Sequence, residues 1–318
     1  MSEEIYGSAR PRRRVYSRPK SFAVGDTFGG TVGPLIALFA SLLTFLAFYI
    51  QYRANVQQRK DIELERFESK YFELIGLHKA NVNEIDIENS VKGRKSFVSM
   101  FYEFKLCYEI CQSFNDELED NKKLESKELT KFSYIIFFFG VGKNSEKQMS
   151  FSEMEKELFN KVKPFLNSLK EKYSSITSKN FDSVTSQNSY ETIRRKLWNG
   201  HVKNFKPFNG HVSILAHYYR HLFQTVKFVI EHKVFNEKEK LSYLKIIRAQ
   251  LSNHEQLMLY YNGVSMAEEI WFKAEYFTKY KMIHNIPLPL ADFGITPENH
   301  PKIKEWYEKG NKDIFEWE

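Results

Sequence analysis

Residues 32–50, "VGPLIALFASLLTFLAFYI", carry no charge over 19 positions, and this run limits what the chain can fold into more than any other stretch. At 1.5 Å per residue a helix of that length spans about 28 Å, close to the ~30 Å hydrocarbon core of a bilayer. A secretory signal has a shorter apolar core and a small-residue cleavage site behind it. Here "QYRANVQQRK" follows, with no such site. The run therefore reads as a permanent transmembrane anchor within residues 28–50, preceded by a basic segment, 1–27. The positive-inside rule is tied, with five Lys/Arg in residues 11–30 and five in 51–70. The cysteine usage described next places the body on the cytoplasmic side.

Charge excludes one broad class. Of 47 Lys/Arg and 40 Asp/Glu, residues 1–60 hold nine basic and three acidic side chains, which leaves 38 basic and 37 acidic in 61–318. The net charge of +7 is thus concentrated around the anchor. A body that grips nucleic acid through its phosphates shows a basic excess, and this one does not. Nucleic acid is not an expected partner. The two cysteines, Cys107 and Cys111, lie four apart on the same helical face as Met100, Phe104 and Phe114 and read as core thiols in a reducing compartment.

Phenylalanine (28) and tyrosine (18) are abundant while glycine (14) and proline (9) are scarce, a composition that favours long packed helices. The expected fold is all-α: one transmembrane helix continuing as a stalk (51–85) into a helical body of two lobes. The first lobe, 86–175, begins with a helix over about 96–118. "ELTKFSYIIFFFGVG" then reads as a compact apolar turn belonging to the core, too short to cross a bilayer. A further helix follows, capped by Ser150 with Glu153 and interrupted at Pro164. The Ser/Thr/Asn-rich stretch 174–190 marks a linker, 176–209. The second lobe, 210–285, holds helices over about 211–233, 237–262 and 266–282. An irregular tail, 286–318, is expected to wrap the body through Trp306 and Trp317. No phosphate-binding loop, dinucleotide turn or nucleophile elbow is present.

Two places could carry chemistry. On the 211–233 helix His217, Arg220, His221 and Gln224 fall at i, i+3, i+4 and i+7 and share one face. The His217/His221 pair has the i,i+4 spacing of helical zinc sites, but no third ligand stands near it, so no metal and no cofactor is expected. The face reads instead as a contact for an anion or a partner. On the 237–262 helix His254 continues the apolar stripe of Leu244, Ile247, Leu251, Met258 and Tyr261, which makes it a seam residue. Arg248, Ser252 and Glu255 share another face, so Arg248 and Glu255 join the binding residues. Arg248 and His254 also stand six apart, the spacing of an arginine–histidine pair in small helical RNases. About 120° separates them around a straight helix, so they could act together only through a substrate or a second subunit.

The order of short stretches, "FGGTVGPL", "RFESKYFELIGLH", "FFFGVG", "FNGHVSILAHYYRHLFQTVKFV" and "KIIRAQLSNHEQLMLYYNGVS", resembles the phage abortive infection protein family (AbiC-like) over roughly residues 28–285. The resemblance implies a membrane-attached bacterial defence protein that halts growth or kills the host cell when a phage is detected. It transfers no catalytic residues. With the anchor, it yields the reading of a single-pass inner-membrane sensor or effector that works by binding and conformational change, and perturbs the membrane as a homo-oligomer. Its expected partners are the lipid bilayer and a phage-encoded trigger or co-encoded defence protein. The alternatives are a membrane-tethered RNase of the HEPN type using Arg248 and His254, and a membrane scaffold for another defence enzyme.

Overall fold

The computed structural model describes residues 20–142, 146–173, 205–311 and 314–316. The basic segment before residue 20, most of the expected linker and Trp317 lie outside the described residues. The chain divides into two compact units, Met1–Ser69 and Lys70–Glu318.

The first unit is the greater part of one helix, α1, which runs unbroken over Lys20–Glu84 with Pro34 inside it. It ends one residue short of the stalk limit expected at Ile85. Residues 29–66 are exposed throughout, including Phe39 at 65% and Leu43 at 67%. Among the described residues α1 is the one helix long and apolar enough to cross a membrane.

In the second unit, Tyr71, Ile75, His78 and Val82 of α1 recur at three- and four-residue steps and are all buried. Tyr71 donates to the Tyr243 carbonyl at 2.6 Å. A small antiparallel hairpin, β1 (Asp86–Ile87) and β2 (Val91–Lys92), follows. Its turn residues Glu88 and Asn89 have φ of 51° and 58°, the left-handed pair that a tight hairpin needs. Helical periodicity gives no hint of it. Then come α2 (Lys95–Asp116), α3 (Ser126–Phe139), α4 (Glu153–Tyr173), α5 (Val212–Ile230), α6 (Glu237–Gln250), α7 (Asn253–Ser265) and a short α8 (Pro301–Glu308).

Several expectations are corrected. "ELTKFSYIIFFF" is not a turn but the buried helix α3, stopped by Gly140. The cap of α4 is two residues later than expected: Ser152 and Glu155 bond each other's backbone N–H, in place of Ser150 and Glu153. The expected 237–262 helix is two helices, broken at Leu251 and Ser252, whose ψ angles of 128° and 164° are extended. The expected 266–282 helix is only a π turn over Glu269–Lys273 followed by turns. α7, which belongs to the second expected lobe, lies against α2 and α3 of the first.

α7 is buried on every side from Glu255 to Ser265, so it forms the centre of this unit. The tail covers it through Phe293 rather than through Trp306. Phe293 stacks on Tyr261 with centroids 4.8 Å apart, and Tyr261 and Tyr260 donate to the Phe293 and Ile295 carbonyls. The buried cysteines belong to the same core, with Cys107 Sγ 3.5 Å from the Ser133 carbonyl.

A glycine crossing ties the chain before α4 to the chain before α5. Gly140 and Gly210 have φ of 79° and 86°, and a Cβ on either would lie 2.4 Å from the other strand's backbone. The approach lets Val141 donate to the Phe208 carbonyl at 3.0 Å and His211 to the Phe138 carbonyl at 2.9 Å. Gly210→Ala should therefore destabilise the protein by about 3 kcal/mol or more, combining left-handed strain with overlap against backbone that cannot turn aside. Chemical denaturation of the variant measures this, and a loss below 1 kcal/mol would show that the crossing yields.

A buried carboxylate beside two unpartnered histidines

The break before α7 has a local chemical cause. Ser252 Oγ accepts from the Glu255 N–H at 3.3 Å, and Glu255 Oε2 accepts from the Ser252 N–H at 2.7 Å, a reciprocal cap that starts a new helix. The same cap fixes a carboxylate in the interior, for Glu255 is fully buried. Its Oε1 accepts from the Tyr218 hydroxyl of α5 at 3.1 Å. Arg94, at the start of α2, brings Nε to 3.7 Å from Oε2 and donates through a terminal nitrogen to the Gln250 carbonyl at 2.6 Å. His78 of α1 brings Nε2 to 3.9 Å from Oε1. The α7 N-terminus adds its dipole, which favours negative charge there.

The histidines of the cluster are neutral at pH 7. Burial, then the neighbouring His221 and Arg94, press His78 down to about 4. Burial and His217 lower His221 as well. The two rings stack with centroids 6.1 Å apart, and none of their four nitrogens has a hydrogen-bond partner. Burial and Glu255 push the Tyr218 hydroxyl well up, so it remains a donor. Arg94 is thus the permanent cation against Glu255 among the described residues, and its side chain is 54% exposed.

The residues singled out in the sequence are placed as follows. His217, Arg220 and Gln224 are exposed on α5, whereas His221 turns inward toward His78. Glu255 joins them from behind through Tyr218. Arg248 does not share a face with Ser252 and Glu255, because the chain breaks between them. It ends α6 buried, and its guanidinium donates to the Lys281 carbonyl at 2.8 Å. His254 is half-buried on α7, edge-on to Phe101 at 5.5 Å and near Tyr102 at 6.2 Å. Among the described residues no group of three His, Cys, Asp or Glu is arranged to hold a metal.

His78, Arg94 and Tyr218 are the residues that sequence reasoning missed. The Ser252-x-x-Glu255 signature and the place of His78 in the Tyr71–Val82 stripe were the available signals. A second buried pair, Glu103 with His211 Nε2 at 2.7 Å, is structural: Glu103 also accepts from the Phe208 N–H at 2.6 Å and so holds the loop that carries Gly210.

Residues 210–289 match the family described as "Putative phage abortive infection protein". The resemblance seen in the sequence is thus borne out over α5, α6 and α7. No curated protein and no solved structure matches the chain. Tyr218, His221, Arg248, His254 and Glu255 fall inside the matched stretch, and His78, Arg94 and Gly140 meet it from outside.

A histidine whose folded value lies below its unfolded one adds stability that is full above about 6.5 and is lost as pH falls toward 4. The groups facing His78 are His221 and Tyr218 on α5, Glu255 on α7 and Arg94. Between pH 7 and pH 5 the wild type should lose about 2 kcal/mol through His78 alone. His78→Phe, followed by denaturation at both pH values, should lose about that much less; an unchanged loss places the pH sensitivity elsewhere.

Proposed function

We propose that the protein is a membrane-anchored abortive infection protein that acts by binding and conformational change, not as a nuclease. One observation carries this reading: the stretch that matches the abortive infection family surrounds a buried charged cluster, and that cluster is completed by His78 from the helix bearing the apolar run. The exposed apolar residues of α1 find their lowest free energy in lipid, at roughly 25 cal/mol per Å² removed from water. The exposed His217, Arg220 and Gln224 offer a face to a phage-encoded trigger, a co-encoded protein or a second copy. The body faces the cytoplasm of the bacterial inner membrane in this reading. Arg248 is occupied by the Lys281 carbonyl and His254 lies against aromatic rings, an arrangement that suits packing better than acid–base chemistry.

Removing residues 1–50 should convert a membrane-bound protein into a soluble body that no longer protects cells from phage. Recovery of the full-length protein in the soluble fraction without detergent would overturn the anchor.

The nuclease alternative is decided at His254. As a packing residue it should tolerate phenylalanine with protection retained, while alanine opens a cavity costing about 2 kcal/mol or more. A general acid or base would lose RNA cleavage and protection alike with either substitution, whatever its size. Thermal stability, phage protection and RNA cleavage of His254→Phe and His254→Ala separate the two.

A further inference from the structure

Beside the hairpin and the start of α2 lies an open groove of ≈ 780 Å³. Lys92, Arg94 and Lys95 line it together with Ser90 and Ser99, and no carboxylate does. Lys92 has one ion pair, with Asp86 at 3.1 Å, and is itself 66% exposed. Lys95 has no ion-pair partner among the described residues. The first turn of the 22-residue α2 contains no acidic side chain, so its dipole adds to the positive field. Three cations stand in four positions of a groove that no carboxylate lines; Asp86 and Glu255 face Lys92 and Arg94 from outside it, and the cationic lining suits a ligand that brings two or more negative charges. An arginine fork beside lysine point charges matches phosphate oxygens.

Arg94 is the member that connects this groove to the interior. Its Nε stands 3.7 Å from the buried Glu255, beyond hydrogen-bond distance, so the pair is held by charge more than by a directed bond. Behind Glu255 stands His78, 97% buried by its 3% exposure, with neither ring nitrogen bonded.

We propose that the groove binds a multiply charged phosphate compound, and that the ligand draws the Arg94 guanidinium away from Glu255 so that His78 takes over as the partner of the buried carboxylate. The exchange converts an event at the surface into a change of partner on α1. No covalent step is involved: the Arg94–Glu255 ion pair and the Arg94 hydrogen bond to the Gln250 carbonyl are lost, ligand oxygens take their place at the guanidinium, the His78–Glu255 pair forms, and a proton is taken up at His78 from solvent. His221 and Tyr218 on α5 and Glu255 on α7 face that ring, and of these Glu255 alone favours the added charge. As the trigger of a defence response the inference rests on the function proposed above; as a binding site it does not.

The test uses the full-length protein in detergent micelles, with pyrophosphate and ATP as soluble probes and short-chain phosphatidylglycerol against phosphatidylcholine as lipid probes. Isothermal titration at pH 6 in two buffers of different ionisation enthalpy reads both affinity and proton uptake. Pyrophosphate or ATP should bind, and Lys92→Gln/Lys95→Gln should weaken binding at least tenfold while the thermal transition is kept. Because the ligand's own phosphate gives up protons near pH 6, the readout is a difference: the wild type should take up more protons on binding than His78→Phe does. Binding of phosphatidylglycerol alone, lost in the same double variant, assigns the phosphate to a lipid headgroup and leaves the site standing. Absence of binding by every probe, or equal binding by wild type and the double variant, overturns the site. Equal proton linkage in the wild type and in His78→Phe overturns the exchange at His78. A protein that binds yet gives no phage protection refutes the defence reading alone, and one that protects without binding refutes the groove alone.

Discussion

A carboxylate with no exposure to water has to be compensated, and Glu255 recruits its compensation from four parts of the chain. Taking such a charge out of water costs several kcal/mol unless hydrogen bonds and an opposite charge offset it. Ser252 supplies a backbone N–H, Tyr218 a hydroxyl, Arg94 a positive charge and His78 a polar edge that is uncharged at neutral pH. These groups come from the start of α7, from α5, from the turn before α2 and from the end of α1. The carboxylate thereby decides how those elements meet, and it does so with an incomplete set of partners. Removing any one of them leaves the buried charge less well served.

Around that charge the packing is aromatic and close. α7 carries Tyr260 and Tyr261 side by side, both buried, and each directs its hydroxyl to a tail carbonyl instead of to solvent. Phe104 and Phe293 complete a cage around Tyr261. Large rings of this kind contribute both area and edge-to-face geometry. A helix buried on all sides needs its neighbours in place before it gains anything, so α2, α3 and the tail stabilise α7 as one cooperative body.

Much of the helical course was legible in the sequence because apolar residues recur with the helical period. The expected 96–118 helix is Lys95–Asp116, the expected 211–233 helix is Val212–Ile230, and the helix expected as anchor and stalk ends at Glu84. Periodicity failed where local chemistry overruled it. The apolar stripe from Leu244 to Tyr261 reads through Ser252 without a gap, yet a serine hydroxyl and a glutamate returning to its N–H stop one helix and start another. The hairpin was invisible because two residues per strand are too few for any period, and Glu88 and Asn89 adopt the left-handed turn without a glycine. Of the candidate site, His221 was legible as a member of the His217–Gln224 face and Glu255 as a partner of Ser252. His78 and Arg94 were not, since tertiary packing alone brings positions 78, 94, 221 and 255 together.

The contact between Gly140 and Gly210 pins both ends of the roughly 70 residues that separate them. Inside that interval α4 buries Leu158, Val162 and Leu166 against α2, so the same helix is held at its packed face and at the base of its chain. Backbone touching backbone leaves that base no side chain to rearrange, and a change in the crossing is passed to α4 and to the start of α5 together.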